Sequence, residues 1–262
     1  MGFGSPVEVA CGQCIGCRLE RARQWSVRIT DEAQLYDENC FLTVTYEEVH
    51  LPAGGSLDRP AYQRFLKRLR ARLAPRRVRF FGCGEYGDLT NRPHYHFVLL
   101  GHAFLADRVH VKTNNGHRIY TSKFLDDVWG LGNCWIGSVT TDSAGYVARY
   151  CTKKVTGDQA KVEAHYQGRT PEFMTCSQGI GREFFERYKS DMYPSDHKVF
   201  KGKPMRVPRY YDKQLPEETL AVLKQQRMER ALERADNNTP QRLKVRETVA
   251  EARLSTYSRR EI

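Results

Sequence analysis

The chain has 262 residues and a net charge of +11, from 42 lysines and arginines against 31 aspartates and glutamates. This length can bury a substantial core, and the basic balance favours a polyanionic partner. No apolar run is long enough to span a membrane and no secretion signal is evident, so the eight cysteines are expected to be reduced thiols in a cytoplasm.

The first 40 residues contain a cysteine motif. Cys11, Cys14 and Cys17 follow a Cys-x2-Cys-x2-Cys pattern with glycines between them, and three thiolates at this spacing can converge on Zn2+. A fourth ligand would come from the remaining cysteines, which are Cys40, Cys83, Cys134, Cys151 and Cys176. The alternative is three reduced thiols in a glycine-rich strap, and both interpretations stay open.

Two basic helices are predicted in the first third of the chain. The first runs from Arg18 to Tyr36, and the second follows an N-cap at Asp58 with an apolar stripe that ends at Leu73. Arginines of the first helix either contact phosphates or form a solvated face; they are Arg18, Arg21, Arg23 and Arg28. Residues 59–84 hold nine basic and no acidic residues, which indicates a phosphate-contacting surface. We expect DNA contacts there from Arg64, Lys67, Arg68 and Arg70.

A glutamate and two histidines form a candidate metal site. Side chains alternate between the faces of a strand, so His94 and His96, in the strand-like run 93–100, share one face. Turn residues precede this run and predict a hairpin that sets Glu85, at the end of the previous run, beside both histidines. Two imidazoles and a carboxylate suit Mg2+, Mn2+ or Zn2+. The alternative is two surface histidines on an edge strand.

Further strands complete a predicted antiparallel sheet. The run 41–46 is β-branched and alternating, and its Thr43 and Thr45 share one face, where they line the site or touch DNA. Residues 104–117 are predicted to form a polar loop or short hairpin, and 133–140 a strand that follows a short helix. This order of elements fits an α+β sandwich with an antiparallel sheet.

A helix is predicted within 142–157. Tyr146 and Tyr150 lie four residues apart on one face of it, and Lys154 continues that face. One interpretation is a pair of amphipathic tyrosines that line a core. The other is a pair of nucleophiles, because a tyrosine oxygen can attack a phosphodiester and carry the product covalently. A metal ion opposite the tyrosines would polarise the phosphate.

These motifs together resemble the HUH endonucleases. More narrowly, the chain resembles the replication initiators of microviruses of the gokushovirus branch, which are small single-stranded DNA phages. The resemblance covers nearly the whole chain and includes, besides the 41–46 strand, motifs at 11–17, 84–88, 92–96, 146–150 and 188–196. One departure is Tyr95, a bulky and half-polar residue at the central position of His-x-His, where the family has a hydrophobic residue.

The resemblance implies an HUH-type sandwich, in which a central antiparallel sheet is flanked by helices, and a tyrosine nuclease that nicks origin DNA for rolling-circle replication. The implied ligands of Mg2+ or Mn2+ are Glu85, His94 and His96. The implied catalytic residues are Tyr146, Tyr150, Lys154 and Lys153. Either lysine would lower the pKa of a phenol or neutralise charge in the transition state.

The implied partners are single-stranded viral origin DNA, the host polymerase and a host helicase, in the cytoplasm of the bacterial host. No membrane contact is expected. The sequence lacks a Gly-x4-Gly-Lys-Ser/Thr motif, so no ATP site is expected either. The rival interpretation is a non-catalytic nucleic-acid-binding protein with a structural zinc at the cysteines.

Three segments are predicted: a cysteine-rich strap and basic helix (1–40), a nuclease core (41–157), and a basic loop region with a helical clasp (158–262). In the last segment, four tyrosines lie among basic residues and either stack on single-stranded DNA or fix a loop to the core; they are Tyr188, Tyr193, Tyr210 and Tyr211. Two helices are expected to form the clasp, one from Pro216 to Asp236 and one that ends near Ser255.

Overall fold

The structure is a computed structural model that describes residues 10–140, 143–148, 154–193, 195–200 and 202–258. Its strands are β1 (Asn39–Thr45), β2 (Arg79–Tyr86), β3 (Pro93–Leu100), β4 (Arg108–Asn114), β5 (His117–Ser122), β6 (Cys134–Gly137), β7 (Phe173–Cys176), β8 (His197–Phe200) and β9 (Lys203–Arg206). Its helices are α1 (Ile15–Ala33), α2 (Arg59–Leu73), α3 (Lys123–Trp129), α4 (143–148), α5 (Gln159–Tyr166), α6 (Arg182–Met192), α7 (Arg209–Asp212), α8 (Glu217–Leu232) and α9 (Pro240–Ser258).

A seven-stranded sheet forms the centre of the fold, with strand order β4-β5-β6-β1-β3-β2-β7. Every pairing in it is antiparallel. The Cys-x2-Cys-x2-Cys motif lies at the N-terminal end of the described chain. Two long helices, α8 and α9, lie at its C-terminal end. The predicted α+β sandwich, with a central antiparallel sheet flanked by helices, is therefore confirmed.

The alternation of β3 divides the core between the two faces of the sheet. Tyr95, Phe97 and Leu99 point to the face covered by α2 and α3, where the largest buried cluster lies. Val98 and Leu100 point to the opposite face and pack in a second cluster with residues of α1 and α4. His94 and His96 are on this second face by the same period of two. The sequence therefore commits the histidines to the face that α1 and α4 cover.

Gly82 of β2 lets α2 approach the sheet closely. A Cβ atom added there would lie 2.6 Å from the Phe97 ring and 2.6 Å from the Tyr62 hydroxyl, closer than packed atoms tolerate. Gly82→Ala should therefore cost about 1–3 kcal/mol of unfolding free energy, through overpacking. Gly137→Ala is the matched control, because its nearest contacts would be 3.9–4.0 Å away. Chemical denaturation of both variants tests this, and equal midpoints would contradict it.

The hairpin and the C-terminal helices agree with expectation, with shifted boundaries. The predicted loop or hairpin is the longer hairpin β4–β5, and the two clasp helices are α8 and α9. Arg227 fastens α8 to the body through Asp196 and Asp212, with its Nη1 atom 2.8 Å from an Asp212 oxygen. This paired arginine supports the clasp interpretation of α8.

Two of the C-terminal tyrosines fix the chain to the core. Tyr211 is fully buried and donates to Asp31 of α1 over 2.9 Å, and Tyr193 donates to Asp212 over 2.9 Å. Tyr188 remains exposed on α6. The proposed division at 41–157 stays a prediction, although β7 from the C-terminal segment extends the central sheet. Within the described residues, none of the helices is long and apolar enough to cross a membrane.

Candidate functional site

The register of β2 and β3 brings the predicted metal ligands together. Glu85 pairs directly with His94, and the antiparallel partner of His96 is Cys83, two residues before Glu85. The connecting turn is closed by a hydrogen bond from the Gly87 amide to the Arg92 carbonyl. The hairpin predicted from the turn residues is confirmed, and it places both imidazoles and the carboxylate on one face.

The three side chains converge on a single carboxylate oxygen. The Nε2 atoms of His94 and His96 each lie 2.8 Å from Oε1 of Glu85. Glu85 is 1% exposed and His96 is 5% exposed, while His94 is half-buried at the rim. The three candidate ligand atoms lie within 4.8 Å of one another. We call Glu85, His94 and His96 the triad.

The hydrogen bonds around the histidines orient the triad for a cation. Nδ1 of His94 lies 3.0 Å from the Arg92 carbonyl oxygen, which only accepts, so Nδ1 carries a proton. In neutral His94 the lone pair is then on Nε2 and faces Glu85. Nδ1 of His96 is held 3.0 Å from the Thr43 hydroxyl, which leaves its Nε2 directed at the same oxygen. Imidazole lone pairs and a carboxylate at this distance need a cation between them, so the donor set fits a metal ion.

Glu85 is ionised in this environment. Burial would raise the pKa of its carboxyl group. Hydrogen bonds and positive charge from His94 and His96, which they supply when their Nε2 atoms carry protons in place of a metal ion, outweigh burial and lower the pKa to about 2. A buried carboxylate is costly without a counter-charge, and the histidines supply part of it. The ionised form is the one that binds a divalent cation.

Tyr146 reaches the triad from α4. Its hydroxyl donates to Oε1 of Glu85 over 3.0 Å, and its ring packs edge-on against His96 with a centroid distance of 5.1 Å. Phe41 of β1 supports both rings, since it stacks on His96 at 5.3 Å and meets Tyr146 edge-on at 6.2 Å. The structure thus brings one predicted nucleophile into direct contact with the predicted metal ligands.

The other residues of the tyrosine motif are placed differently or lie outside the described part. Tyr150 and Lys153 fall outside the described residues. The prediction that the helix continues to residue 157 is wrong at that end, because 154–157 are not helical. Lys154 is exposed and lines a cleft with Arg18, Arg21 and Arg59. Its action on a phenol stays a prediction.

Thr43 and Thr45 share the triad face, as their alternation predicts. Thr43 pairs with His96 across the sheet and contacts its ring nitrogen, whereas Thr45 donates to the Asn133 carbonyl over 3.0 Å. Thr43 therefore orients a triad residue. Thr45 fixes the connection that leads into β6.

The basic face of α2 is on the other side of the sheet from the triad. All four residues expected to touch DNA are exposed: Arg64, Lys67, Arg68 and Arg70. Arg68 donates to the Val128 and Trp129 carbonyls at the end of α3, each over 2.8 Å, and the Arg70 guanidinium covers the Phe80 ring. DNA contact by this face stays a prediction, and it would concern a surface separate from the triad.

A basic cleft at the β7 edge of the sheet was only partly anticipated. Its volume is about 340 Å³, and its lining includes Arg18, Arg21, Arg59 and Lys154 together with Phe173 and Met174 of β7. We call it the β7 cleft. Phe173 and Met174 pair with Gly84 and Cys83 of β2, next to Glu85 in the chain. The sequence showed basic residues in three separate segments, but only the fold unites them.

Two arginines of α1, for which phosphate contact was one of two alternatives, bind groups of the protein itself. Arg28 is buried between the rings of Trp25 and Tyr210 and donates to the Ile180 carbonyl. Arg23 pairs with Glu20 and donates to the Arg206 carbonyl. The alternative of phosphate contact is therefore wrong for Arg28. A helical pattern of charges does not reveal which side a later segment covers.

Three cysteines at the start of α1 and just before it are close together. Sγ of Cys11 and Sγ of Cys17 are 3.8 Å apart, and the three thiols of Cys11, Cys14 and Cys17 lie within 4.8 Å of one another. The backbone N–H groups of Cys14 and Gln13 donate to Sγ of Cys11 and lower its pKa to about 7. Within the described residues, this group and the triad are the two clusters that could hold a metal ion.

Comparison with known proteins assigns the chain to a family. The family model for replication-associated protein ORF2/G2P matches residues 39–155, a range that contains the triad and both tyrosines. The chain belongs to this family of phage replication-associated proteins, which confirms the resemblance found in the sequence. No solved structure matches the chain.

The relatives are proteins of phages and of a Spiroplasma virus. The chain is 36% identical over 210 residues to replication-associated protein VP4 of Bdellovibrio phage phiMH2K, covering 77% of this chain and 65% of the relative. It is 32% identical over 223 residues to replication-associated protein ORF2 of Spiroplasma virus 4, covering 80% and 68%. Replication-associated protein ORF4 of Chlamydia phage 1 is 28% identical over 214 residues, covering 77% and 52%. The matches thus span between about half and two thirds of the relatives' lengths.

Proposed function

We propose that this chain is a metal-dependent nickase and strand transferase that initiates rolling-circle replication of single-stranded viral DNA. The observation that carries the proposal is the 3.0 Å hydrogen bond from the Tyr146 hydroxyl to Glu85, on the same oxygen that His94 and His96 approach. A nucleophile and a set of metal ligands so close to each other are what phosphodiester cleavage through a covalent intermediate requires. The name of the matching family, replication-associated protein, supports a role in replication.

The proposed step exchanges one phosphodiester for another. The Tyr146 oxygen attacks the scissile phosphorus in line, and the bond from phosphorus to the 3′-oxygen breaks. The phenol loses a proton and the departing 3′-oxygen gains one, so a 3′-hydroxyl is released and a 5′-phosphotyrosine link remains. The freed 3′-hydroxyl would serve the host polymerase as a primer, with a host helicase opening the duplex, in the cytoplasm of the bacterial host.

Glu85, His94 and His96 would hold the divalent cation, Mg2+ or Mn2+. When bound, the cation polarises the phosphate and stabilises the charge that develops on it. The protein fixes the ligands beforehand: the Arg92 carbonyl and the Thr43 hydroxyl orient the two imidazoles. Phe41 packs against His96 and Tyr146 together, so the nucleophile and a ligand keep their relative position.

A second tyrosine would complete the cycle. Tyr150 would cleave the regenerated origin after one round, and the 3′-hydroxyl freed by that second cut would then attack the original phosphotyrosine link, close the circle and release the first tyrosine. Lys154 and Lys153 would neutralise charge on the DNA or lower the pKa of a phenol during these exchanges. Two nucleophiles four residues apart in the sequence would let both cuts use one metal site.

A gel assay for a covalent adduct tests the proposed activity. The full chain would be incubated with Mn2+ and labelled single-stranded oligonucleotides that tile the viral genome, and the products separated under denaturing conditions. We expect one oligonucleotide to be cut, with its 3′ portion migrating with the protein through the 5′-phosphotyrosine link and its 5′ portion released with a free 3′-hydroxyl. Binding of DNA with no adduct on any oligonucleotide would favour the rival function, a non-catalytic nucleic-acid-binding protein.

Salt dependence of binding tests which basic surface contacts the strand. The logarithm of affinity falls with the logarithm of salt concentration, and each lost phosphate contact should make this slope shallower by about 0.7 for single-stranded DNA. We expect the double variant Arg21→Ala/Lys154→Ala, in the β7 cleft, to make the slope shallower by more than one. Arg64→Ala/Lys67→Ala, on the exposed face of α2, is the matched control with the same charge change. A salt titration that shows the larger effect in the control would place the strand on α2 instead.

A further inference from the structure

Residues 11–17, which we call the cysteine loop, comprise the turn before α1 and the first three residues of that helix. Their thiol geometry is not used by the proposed nuclease chemistry. Cys11 and Cys14 are exposed and Cys17 is half-buried. The 3.8 Å between the sulfurs of Cys11 and Cys17 is far longer than the roughly 2.05 Å of a disulfide bond. It matches the separation of two sulfurs in a tetrahedral zinc site, which is about 3.8 Å for Zn–S bonds of about 2.3 Å.

We propose that Cys11, Cys14 and Cys17 bind one Zn2+ as three thiolate ligands. This site is separate from the triad, and its existence does not depend on the proposed nuclease activity. Zinc is the class of ion selected because the donors are soft sulfurs at tetrahedral spacing, whereas Mg2+ and Mn2+ prefer oxygen ligands.

The backbone of the loop is arranged for thiolates. The N–H groups of Gln13 and Cys14 donate to Sγ of Cys11 over 3.4 and 3.2 Å, so the sulfur accepts two hydrogen bonds where negative charge would form. Gly12 has a φ of +75°, a backbone conformation that glycine adopts without strain and that turns the chain between Cys11 and Cys14. Cys14 is the N-cap of α1, so the sulfurs lie at the positive end of a 19-residue helix.

A fourth zinc ligand was expected from one of the five other cysteines, and four of these five do not supply it. Cys40, Cys83 and Cys134 are buried in the core clusters, and Cys176 is half-buried beneath α1. These four do not join the group formed by the cysteine loop, so the expectation of a fourth ligand from them is wrong. Cys151 lies outside the described residues. The proposal therefore concerns the three thiolates.

The bound zinc would stabilise two neighbouring segments as well as the loop. Arg18 of α1 donates to the Thr156 hydroxyl over 3.2 Å, and the Gln13 side chain lies against Gly157, where a Cβ atom would meet its Oε1 at 3.0 Å. These contacts tie the cysteine loop to the chain that follows α4. On another side, Cys14 and its two successors share a cavity of about 610 Å³ with Leu243 and other residues of α9.

Metal content of the full chain tests the proposal. In protein purified without chelator we expect about one zinc per chain by elemental analysis, and less than about one tenth in Cys14→Ser or Cys17→Ser. Cys176→Ser is the matched control, a thiol outside the loop, and should keep its zinc. The variant His94→Ala/His96→Ala should also keep it, because the triad is a separate site.

Cobalt substitution keeps the test valid if a cysteine variant fails to fold. Co2+ added to zinc-depleted wild-type protein should give thiolate charge-transfer absorption with an intensity that corresponds to three sulfurs. Hydrogen exchange of residues 154–157 should be slower with zinc than without it. Zinc that is absent from the wild type, or that is lost in His94→Ala/His96→Ala and kept in the serine variants, would overturn the proposal. Neither result would bear on formation of a DNA adduct.

Discussion

Replacing His94 and His96 together with alanine should abolish DNA cleavage and lower the affinity for Mn2+ by at least about a hundredfold. Each imidazole directs Nε2 to within 2.8 Å of Oε1 of Glu85, so the double variant leaves one carboxylate where three ligands converged. Loss even of residues that only orient metal ligands typically costs 10–100-fold in affinity, and loss of two ligands should cost more. Calorimetric titration with Mn2+ measures the affinity, and the adduct assay measures cleavage.

The double histidine variant should still fold. Its unfolding free energy should fall by more than it would if both histidines were exposed. His96 is 5% exposed and contacts Phe41 and Tyr146, so its truncation should cost about 1–3 kcal/mol. His94 is half-buried and its loss should cost less. His117→Ala, an exposed histidine at the start of β5, is the control for removing an imidazole elsewhere.

Variants of Glu85 and Thr43 distinguish the loss of a metal ligand from the loss of a group that only orients one. Glu85→Gln keeps the volume of the side chain but removes its charge, so Mn2+ affinity should fall nearly as far as in the double histidine variant. Thr43→Val removes only the hydroxyl that contacts Nδ1 of His96, and should weaken Mn2+ binding by about 10-fold. Mn2+ binding that is unchanged in the double histidine variant would show that the metal is held elsewhere.

The triad could be predicted from the sequence because its geometry is local. Strand alternation alone puts His94 and His96 on one face, and turn residues between β2 and β3 fix the register that opposes Glu85 to His94. Neither inference needs knowledge of distant segments. For the same reason β1, β2, β3, β6 and the hairpin β4–β5 were predicted with only shifts at their ends, whereas β7, β8 and β9 were not predicted.

The surfaces could not be predicted, because they depend on which side of the sheet each helix covers. The charge on α2 is evident in the sequence, but its apolar stripe packs on the face opposite the triad. In the sequence Arg28 is one of several arginines on α1, but in the fold it is buried against Ile180 and Tyr210. The β7 cleft combines α1, α2 and Lys154 with β7, and no sequence period connects segments so far apart.

Tyr146→Phe should reduce nicking strongly, and Tyr146→Phe/Tyr150→Phe should bind DNA and form no covalent adduct. The phenol oxygen is the atom that bonds to phosphorus, and phenylalanine removes only that atom. The ring contacts of Tyr146 with His96 and Phe41 are kept, so a loss of activity cannot be attributed to a cavity. Tyr146→Phe alone should retain some adduct on Tyr150, since the two attacks are chemically alike.

The variant Tyr146→Phe should affect metal binding as well as the attack on phosphorus. The Tyr146 hydroxyl donates to Glu85, so Tyr146→Phe also removes a hydrogen bond to a metal ligand and should alter Mn2+ affinity by a few-fold. Tyr188→Phe, an exposed tyrosine on α6, is the control and should nick like the wild type. Comparing Mn2+ titrations with single-turnover nicking at saturating metal separates the nucleophile's contribution from its effect on the ion.

Peptide mapping of the trapped adduct identifies the nucleophile directly. After proteolysis, the nucleotide should be found on a peptide that contains Tyr146 in the wild type and on Tyr150 in Tyr146→Phe. The double variant is the decisive case, because it keeps the triad and the β7 cleft while lacking both phenols. If it still forms a phosphotyrosine adduct, the attacking oxygen belongs to another tyrosine, and the hydrogen bond between Tyr146 and Glu85 serves only to position the carboxylate.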